Sequence, residues 1–232
     1  MKIGILQTGV VVPELAETYG QYPDMFIDRL AHAGFEFETW AVVNGDFPSG
    51  PEAADGWLIT GSRHGIYEDH AWLPPLEAFI RQTVAADKPL VGICFGHQVI
   101  AQALGGDVAK FPGGWSIGPQ VYDFAGRGPK TVMAWHQDQV ITPPEGAQTV
   151  ASSDFCTHAA LLYPGHAYTV QPHPEFNAPF TKGLIEKRGP GVVPDPLLAQ
   201  AVAEIDTPLD NAEMIDDLIH FLKHKRLPER AA

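Results

Sequence analysis

An α/β fold, in which a mostly parallel sheet carries helices on both faces, is predicted by three features of this sequence. Apolar runs of strand length alternate with amphipathic stretches, the mark of a sheet covered on both sides. A cysteine bracketed by glycines stands where one such run meets a helical stretch. The 232 residues, 45% of them hydrophobic, are enough to build a substantial core.

The elements follow in order. A first buried strand is read over residues 2–6, in an opening too short for the apolar region of a signal peptide. Further strands are expected over residues 35–43, 56–60 and 89–93, with helices over 23–33 and 74–86 between them. In the second of these helices Leu76, Phe79, Ile80 and Val84 recur at helical spacing, so they belong to the core. Another helical stretch, Gln98-Val99-Ile100-Ala101-Gln102-Ala103-Leu104, runs to Gly105-Gly106, a natural stop. From residue 108 to 170 short strand-like pieces, turns and glycines predict a mixed, partly antiparallel edge. The tail reads as helices over 178–187, 196–205 and 208–225, with Asp195 and Thr207 as N-cap candidates for the last two. No repeat or low-complexity linker interrupts the chain, so residues 1–232 are expected to form one domain with a helical C-terminal tail from about residue 178.

The chemistry centres on Gly92-Ile93-Cys94-Phe95-Gly96-His97-Gln98, which has the G-x-nucleophile-x-G pattern of a nucleophile elbow with Cys94 where serine is usual. Glycines flank such a nucleophile because larger side chains would clash around its strained backbone. A thiol at a helix start is favoured as the thiolate, which is the attacking species. An inert buried cysteine is the plainer reading of an isolated Cys, yet it leaves the two glycines unexplained.

Such a nucleophile needs a base. In Tyr168-Thr169-Val170-Gln171-Pro172-His173-Pro174-Glu175 the two prolines bias Gln171 and His173 away from helical geometry, and the segment reads as extended. Residues two apart in an extended chain project to one side. His173 and Glu175 thus supply an imidazole and its orienting carboxylate in one H-x-E unit.

Together with Leu58-Ile59-Thr60-Gly61-Ser62, Tyr67-Glu68 and Trp135-His136-Gln137-Asp138, these motifs resemble the class I glutamine amidotransferases, and in particular members similar to the amidotransferase domain of GMP synthetase. The resemblance runs along most of the chain and implies a three-layer, flavodoxin-like fold. It also implies that Cys94, His173 and Glu175 form a triad removing ammonia from the glutamine side chain. Pro172 departs from the family pattern, which more often has an aromatic residue before the histidine.

A tetrahedral intermediate needs hydrogen-bond donors where its oxyanion develops. Elbow logic offers the backbone amide of Phe95, and the resemblance implies a second from Gly61 or its neighbour Ser62. Read alone, Gly61-Ser62 is equally an ordinary strand-end turn, and Arg63 and His64 beside it are equally a substrate-carboxylate contact or an exposed loop. Gln98, four residues after Cys94, stands on the same side of the first helical turn, where its amide can orient a glutamine-like substrate. Trp135 and His136 match a family segment near the glutamine pocket, while His136 with Asp138 also offers a competing base pair.

Other signals exclude more than they include. A net charge of −13 argues against nucleic-acid and anionic-membrane partners, and no stretch approaches a membrane span. Two cysteines give no disulfide framework, so a reducing, cytoplasmic setting is expected. Cys156, without flanking glycines, reads as a small buried residue. His220 and His224 have zinc-compatible i, i+4 spacing but no third ligand nearby, so no metal or cofactor is expected. The acidic residues from Asp206 to Asp217 read as a solvated helix face.

These observations favour a glutamine amidotransferase that passes ammonia to a synthase subunit on another polypeptide. A free-standing γ-glutamyl hydrolase acting on γ-glutamyl conjugates uses the same residues. A non-catalytic scaffold is the alternative of another class, and it is disfavoured because all three triad positions are filled.

Overall fold

The computed structural model describes residues 1–229. Its elements run β1 (Lys2–Leu6), α1 (Pro13–Tyr19), α2 (Tyr22–Leu30), β2 (Glu36–Trp40), β3 (Gly56–Ile59), α3 (Leu73–Ala85), β4 (Leu90–Ile93) and α4 (Phe95–Ala103). The central part contributes β5 (Asp107–Lys110), β6 (Ser116–Phe124), β7 (Gly128–His136), β8 (Asp138–Thr142), β9 (Gln148–Ser152), β10 (Ala160–Tyr163) and β11 (Ala167–Val170). The tail adds α5 (Ala178–Arg188), α6 (Asp195–Ala203) and α7 (Asn211–His224).

Among the described residues nine strands form one sheet in the order β2-β1-β3-β4-β11-β10-β9-β6-β7, and β5 pairs with β8 separately. From β2 to β11 the pairing is parallel; from β11 outward it is antiparallel. Short buried strands read as near-continuous apolar runs because both faces are covered. On one face α3 and α4 bury Leu76, Phe79, Ile80, Val99 and Ile100 with Trp57 and Leu90. On the other, α2 and α7 bury Phe26, Leu30, Leu218 and Phe221 against Ile3, Ile5 and Val91. The result is the three-layer, mostly parallel arrangement the sequence led us to expect, with the antiparallel extension at the edge read from residues 108–170. No helix of the described residues is long and apolar enough to cross a membrane.

The differences have local causes. The second strand ends at Trp40 rather than residue 43 because Val42–Asn44 turn into a single 3-10 turn closed by Gly45 at φ 83°. Helix α1 is not foreshadowed in the sequence, because seven residues with only Leu15 buried carry no periodicity. Asp195 is the first residue of α6, which Pro194 precedes at the N-cap, so Asp195 is not its cap. Nor does Thr207 cap α7: its hydroxyl donates to Glu204 O, and the helix starts only at Asn211. The acidic face of α7 is not uniformly solvated either, since the Asp217 carboxylate is fully buried and paired with Arg127. That pair and Lys130–Glu213 fasten α7 to the β6–β7 hairpin. Helix α6 packs so closely on β6 that a Cβ on Gly118, at φ 75°, would come 2.9 Å from the Ala201 methyl.

Candidate active site

The sheet brings its carboxyl ends together, the usual place for ligands in open α/β sheets. Strand β4 pairs in parallel with β11, Ile93 opposite Val170. The residues that follow each strand, Cys94 on one side and Gln171 to Glu175 on the other, therefore emerge side by side. Cys94 N–H donates to Val170 O at 2.8 Å, locking the two strand ends.

Cys94 caps α4 with φ 52° and ψ −102°, a conformation that non-glycine residues rarely adopt and that costs on the order of 1–3 kcal/mol. Its neighbours explain how the strain is tolerated. A Cβ on Gly92 would lie 2.6 Å from Gly96 backbone atoms and Ile100, and one on Gly96 would lie 2.3 Å from Ile59 O. Only glycine at both positions lets α4 start this close to β3 and β4.

The His173 backbone N–H donates to Met133 O at 2.8 Å, joining it to β7. Its imidazole stacks on Phe176 with centroids 4.0 Å apart and planes 5° apart. Its Nδ1 lies 2.7 Å from Glu175 Oε1. The sequence spacing anticipated this contact, but the path differs from the one expected. The chain is not extended through Glu175; it turns there, with Phe176 N–H donating to His173 O at 3.3 Å. Burial by itself would lower the His173 pKa. The Glu175 carboxylate and the sulfur of Cys94, which shares a side-chain hydrogen bond with the imidazole, outweigh it and hold the group well above the ordinary histidine value.

Cys94 and His173 line one cavity of about 280 Å³, together with Ser62, Gln98, Trp135 and His136. Beside it, the loop after β3 is braced from below. Thr8 Oγ1 lies 2.9 Å from Thr60 O and 3.2 Å from Gly61 O, and Thr60 Oγ1 lies 3.1 Å from Gly61 O. A trans peptide is planar, so a Gly61 carbonyl aimed at the two threonines turns the Ser62 N–H the opposite way. Gly61 itself has no room for a side chain, since a Cβ there would stand 2.9 Å from His173 Cε1. Phe95 buries its ring against Trp72; as the first residue of α4, its N–H has no partner within the helix.

Gln98 is tied rather than loose: its Nε2 donates to Asp138 O at 2.9 Å and to Gln171 Oε1 at 3.0 Å. His136 does not pair with the Asp138 carboxylate. Its Nδ1 meets Asp138 O at 3.2 Å, while the Asp138 carboxylate accepts from Tyr67 at 3.1 Å. Burial pushes the His136 imidazole down to about 3, against the weaker pull of the Asp138 backbone, which leaves it neutral at ordinary pH. The competing base pair is therefore not formed. Cys156 is buried, and burial pushes its thiol up to about 12.

Three wall residues had no signal in the local sequence. Lys110, Tyr22 and Arg188 come from β5, α2 and α5, and the Tyr22 hydroxyl and Arg188 guanidinium hydrogen-bond at the cavity wall. At the mouth, His64 Nδ1 and His70 Nε2 lie 3.1 and 2.6 Å from the same oxygen, Oε2 of Glu68. Partial burial would raise the Glu68 carboxyl, but hydrogen bonds from the Gly65 N–H, His70 and His64 outweigh it and hold the group down to about 2. On α7, His220 and His224 stand 4.5 Å apart, ring to ring.

Comparison with known proteins bears on this geometry. The family model described as glutamine amidotransferase class-I matches residues 14–186. Gamma-glutamyl peptidase 4 of Arabidopsis thaliana is 30% identical over 187 residues, covering 74% of each chain. One of the subunits of the glutamine-hydrolyzing GMP synthase of Methanosarcina barkeri is 43% identical over 132 residues, 53% of this chain and 66% of that one. Among solved structures, a glutamine amido transferase from Methylobacillus flagellatus superposes with a TM-score of 0.76 at 21% identity, over 100% of this chain and 97% of that one, a likeness of fold.

Proposed function

The chain belongs to the class I glutamine amidotransferase family, and from that premise we propose that it cleaves the γ-carboxamide of glutamine through Cys94, His173 and Glu175 and hands the ammonia to a separate synthase. The observation that carries this reading is one cavity lined by both the strained elbow thiol and an imidazole whose far nitrogen is held 2.7 Å from a buried carboxylate.

In the proposed reaction the Cys94 thiolate adds to the amide carbon. The oxyanion accepts hydrogen bonds from the Phe95 and Ser62 N–H groups, one at a helix start and one turned away from the threonine brace. The His173 imidazolium gives its proton to the leaving nitrogen, the C–N bond breaks, and ammonia departs from a γ-glutamyl thioester. Water then adds to the thioester carbon while His173 takes its proton. Collapse releases glutamate and restores the thiolate. Glu175 keeps Nδ1 protonated and offsets the imidazolium charge, the role of the third member in triad chemistry. Gln98, fixed by Asp138 O and Gln171, is suited to orient the substrate amide.

The resemblance to one chain of a GMP synthase supports the transfer of ammonia to a partner. A second reading, cleavage of γ-glutamyl conjugates, is favoured by the cavity's opening to solvent, where Tyr67 and Val192 on its wall are exposed, and by the gamma-glutamyl peptidase relative. The test is kcat of the purified chain for glutamine and for γ-glutamyl dipeptides, with and without extract of the source cells. Slow glutamine hydrolysis, accelerated about a hundredfold by extract, supports the first reading, since a change of that size matches what better placement of a single oxyanion donor is worth. Fast dipeptide cleavage, indifferent to extract, replaces it with the second.

A further inference from the structure

We propose that His64, Glu68 and His70 form a binding site for a divalent first-row metal ion, zinc foremost, at the mouth of the cavity. The three residues lie in the loop between β3 and α3, and their ligand atoms, His64 Nδ1, Glu68 Oε2 and His70 Nε2, all fall within 4.8 Å of one another. None of them has a part in the amide chemistry derived above. Two histidines six residues apart around one glutamate carry no metal-site spacing in the sequence, and only the fold of the loop makes them converge.

Two imidazole nitrogens and one carboxylate oxygen are the donor set of zinc sites that keep a position open. Tetrahedral zinc with bonds of 2.0–2.1 Å sets its ligand atoms roughly 3.3 Å apart. The contacts of 3.1 and 2.6 Å to Glu68 Oε2 therefore open by about 0.2–0.7 Å, and the two imidazole nitrogens, within 4.8 Å of each other, close by at most about 1.5 Å, to admit the ion. Metal ligands are commonly fixed by contacts outside the coordination sphere, and such contacts are present. The Gly65 N–H donates to the Glu68 carboxylate. The His70 ring stacks on Trp72 at 5.6 Å and 16°, and the two imidazoles meet edge to face at 4.2 Å. All three side chains are partly exposed, so an ion reaches them from solvent. Among the described residues no lysine or arginine pairs with Glu68 to compete for its carboxylate. Three ligands leave a fourth position for water or for a donor atom of a molecule entering the cavity. Trp72 also packs on Phe95 at 5.6 Å, so an ion that stiffens this loop bears directly on the elbow.

Two other sets compete for zinc, the Cys94–His173 pair and the His220–His224 pair, and the test separates them. Chelator-treated full-length protein is titrated with zinc by calorimetry and with cobalt(II) by visible absorption, in parallel with thermal unfolding of each variant. The expected result is one zinc per chain, a rise in Tm with metal, and affinity reduced about a hundredfold or more in His64→Ala, His70→Ala and Glu68→Gln. Cys94→Ala and His220→Ala leave the binding intact. The proposal is overturned if no stoichiometric uptake occurs, or if uptake survives the loop variants and disappears in Cys94→Ala or His220→Ala. Glu68→Gln keeps the size of an exposed side chain, so its loss of metal with an unchanged metal-free Tm cannot be ascribed to misfolding.

Discussion

Glu175 Oε1 stands 2.7 Å from His173 Nδ1 while Phe176 covers the imidazole face at 4.0 Å, so one polar and one stacking contact from within three residues of chain hold the ring for its hydrogen bond with Cys94. Under the proposed mechanism His173→Ala loses nearly all turnover. Glu175→Gln retains the stack and loses less, by about two orders of magnitude, because orienting residues contribute less than bases in such triads. Removing the carboxylate also removes the largest influence raising the His173 pKa. An NMR pH titration of His173 should therefore move down in Glu175→Gln; an unmoved titration together with full kcat would take Glu175 out of the mechanism.

Cys94 and Cys156 are both buried, yet they face different surroundings. Cys94 lines the cavity beside His173, whereas burial holds the Cys156 thiol up near about 12. An electrophilic glutamine analogue should label Cys94 once per chain. Cys94→Ala should abolish turnover, and Cys156→Ala should leave kcat within about twofold, since only an accessible thiolate is reactive. Peptide mapping that finds the label mainly on Cys156 would reverse the assignment.

How much of this was legible beforehand depends on the range of the interaction. The elbow was, because the clash of a Cβ on Gly92 with Gly96 and Ile100 is a contact across a few residues, and it dictates glycine at a fixed spacing. The H-x-E pair was also legible, although the turn that closes it was not, since the two prolines restrict the backbone equally in an extended chain. What stayed hidden was long-range. Thr8 meets Gly61 across 53 positions, and Tyr22 of α2 meets Arg188 of α5 at the cavity wall, pairings that no local period encodes. His136 was ambiguous in sequence because its spacing to Asp138 mimics that of His173 to Glu175. Burial and the diversion of the Asp138 carboxylate to Tyr67 resolve it.

The threonine brace under Gly61 gives a third prediction. Thr8→Val removes the hydroxyl that lies 3.2 Å from Gly61 O and leaves Thr60 Oγ1, at 3.1 Å, as the remaining brace, so the Gly61–Ser62 peptide is loosened and the Ser62 N–H shifts out of line. A misplaced oxyanion donor costs up to about a hundredfold in rate. The loss should fall on kcat with KM nearly unchanged, because the donor matters most in the transition state. Gly61→Ala should be worse, since its methyl would stand 2.9 Å from His173 Cε1. A raised KM with kcat unchanged for Thr8→Val would assign the brace to substrate binding instead.

Two buried histidines make the fold sensitive to acid. Burial holds His97 at about 3, aided by the nearby His136, and burial likewise holds His136 at about 3. In the unfolded chain each titrates near 6.5. Between these values the unfolded state carries one more proton at each site, so stability falls as pH drops below about 6.5, by about 2 kcal/mol for each histidine between pH 7 and 5. His173 acts in the opposite direction: its raised pKa contributes stability that is complete below about 6.5 and lost as pH rises above it, so it does not mask the acid limb. Urea midpoints measured at pH 7, 6 and 5 should decline accordingly. In His97→Gln, whose amide can still meet Thr169 Oγ1 in place of the 2.8 Å imidazole contact, the decline should be shallower. A midpoint that stays flat from pH 7 to 5, or a decline that His97→Gln leaves untouched, would show that these imidazoles are not buried in their neutral form.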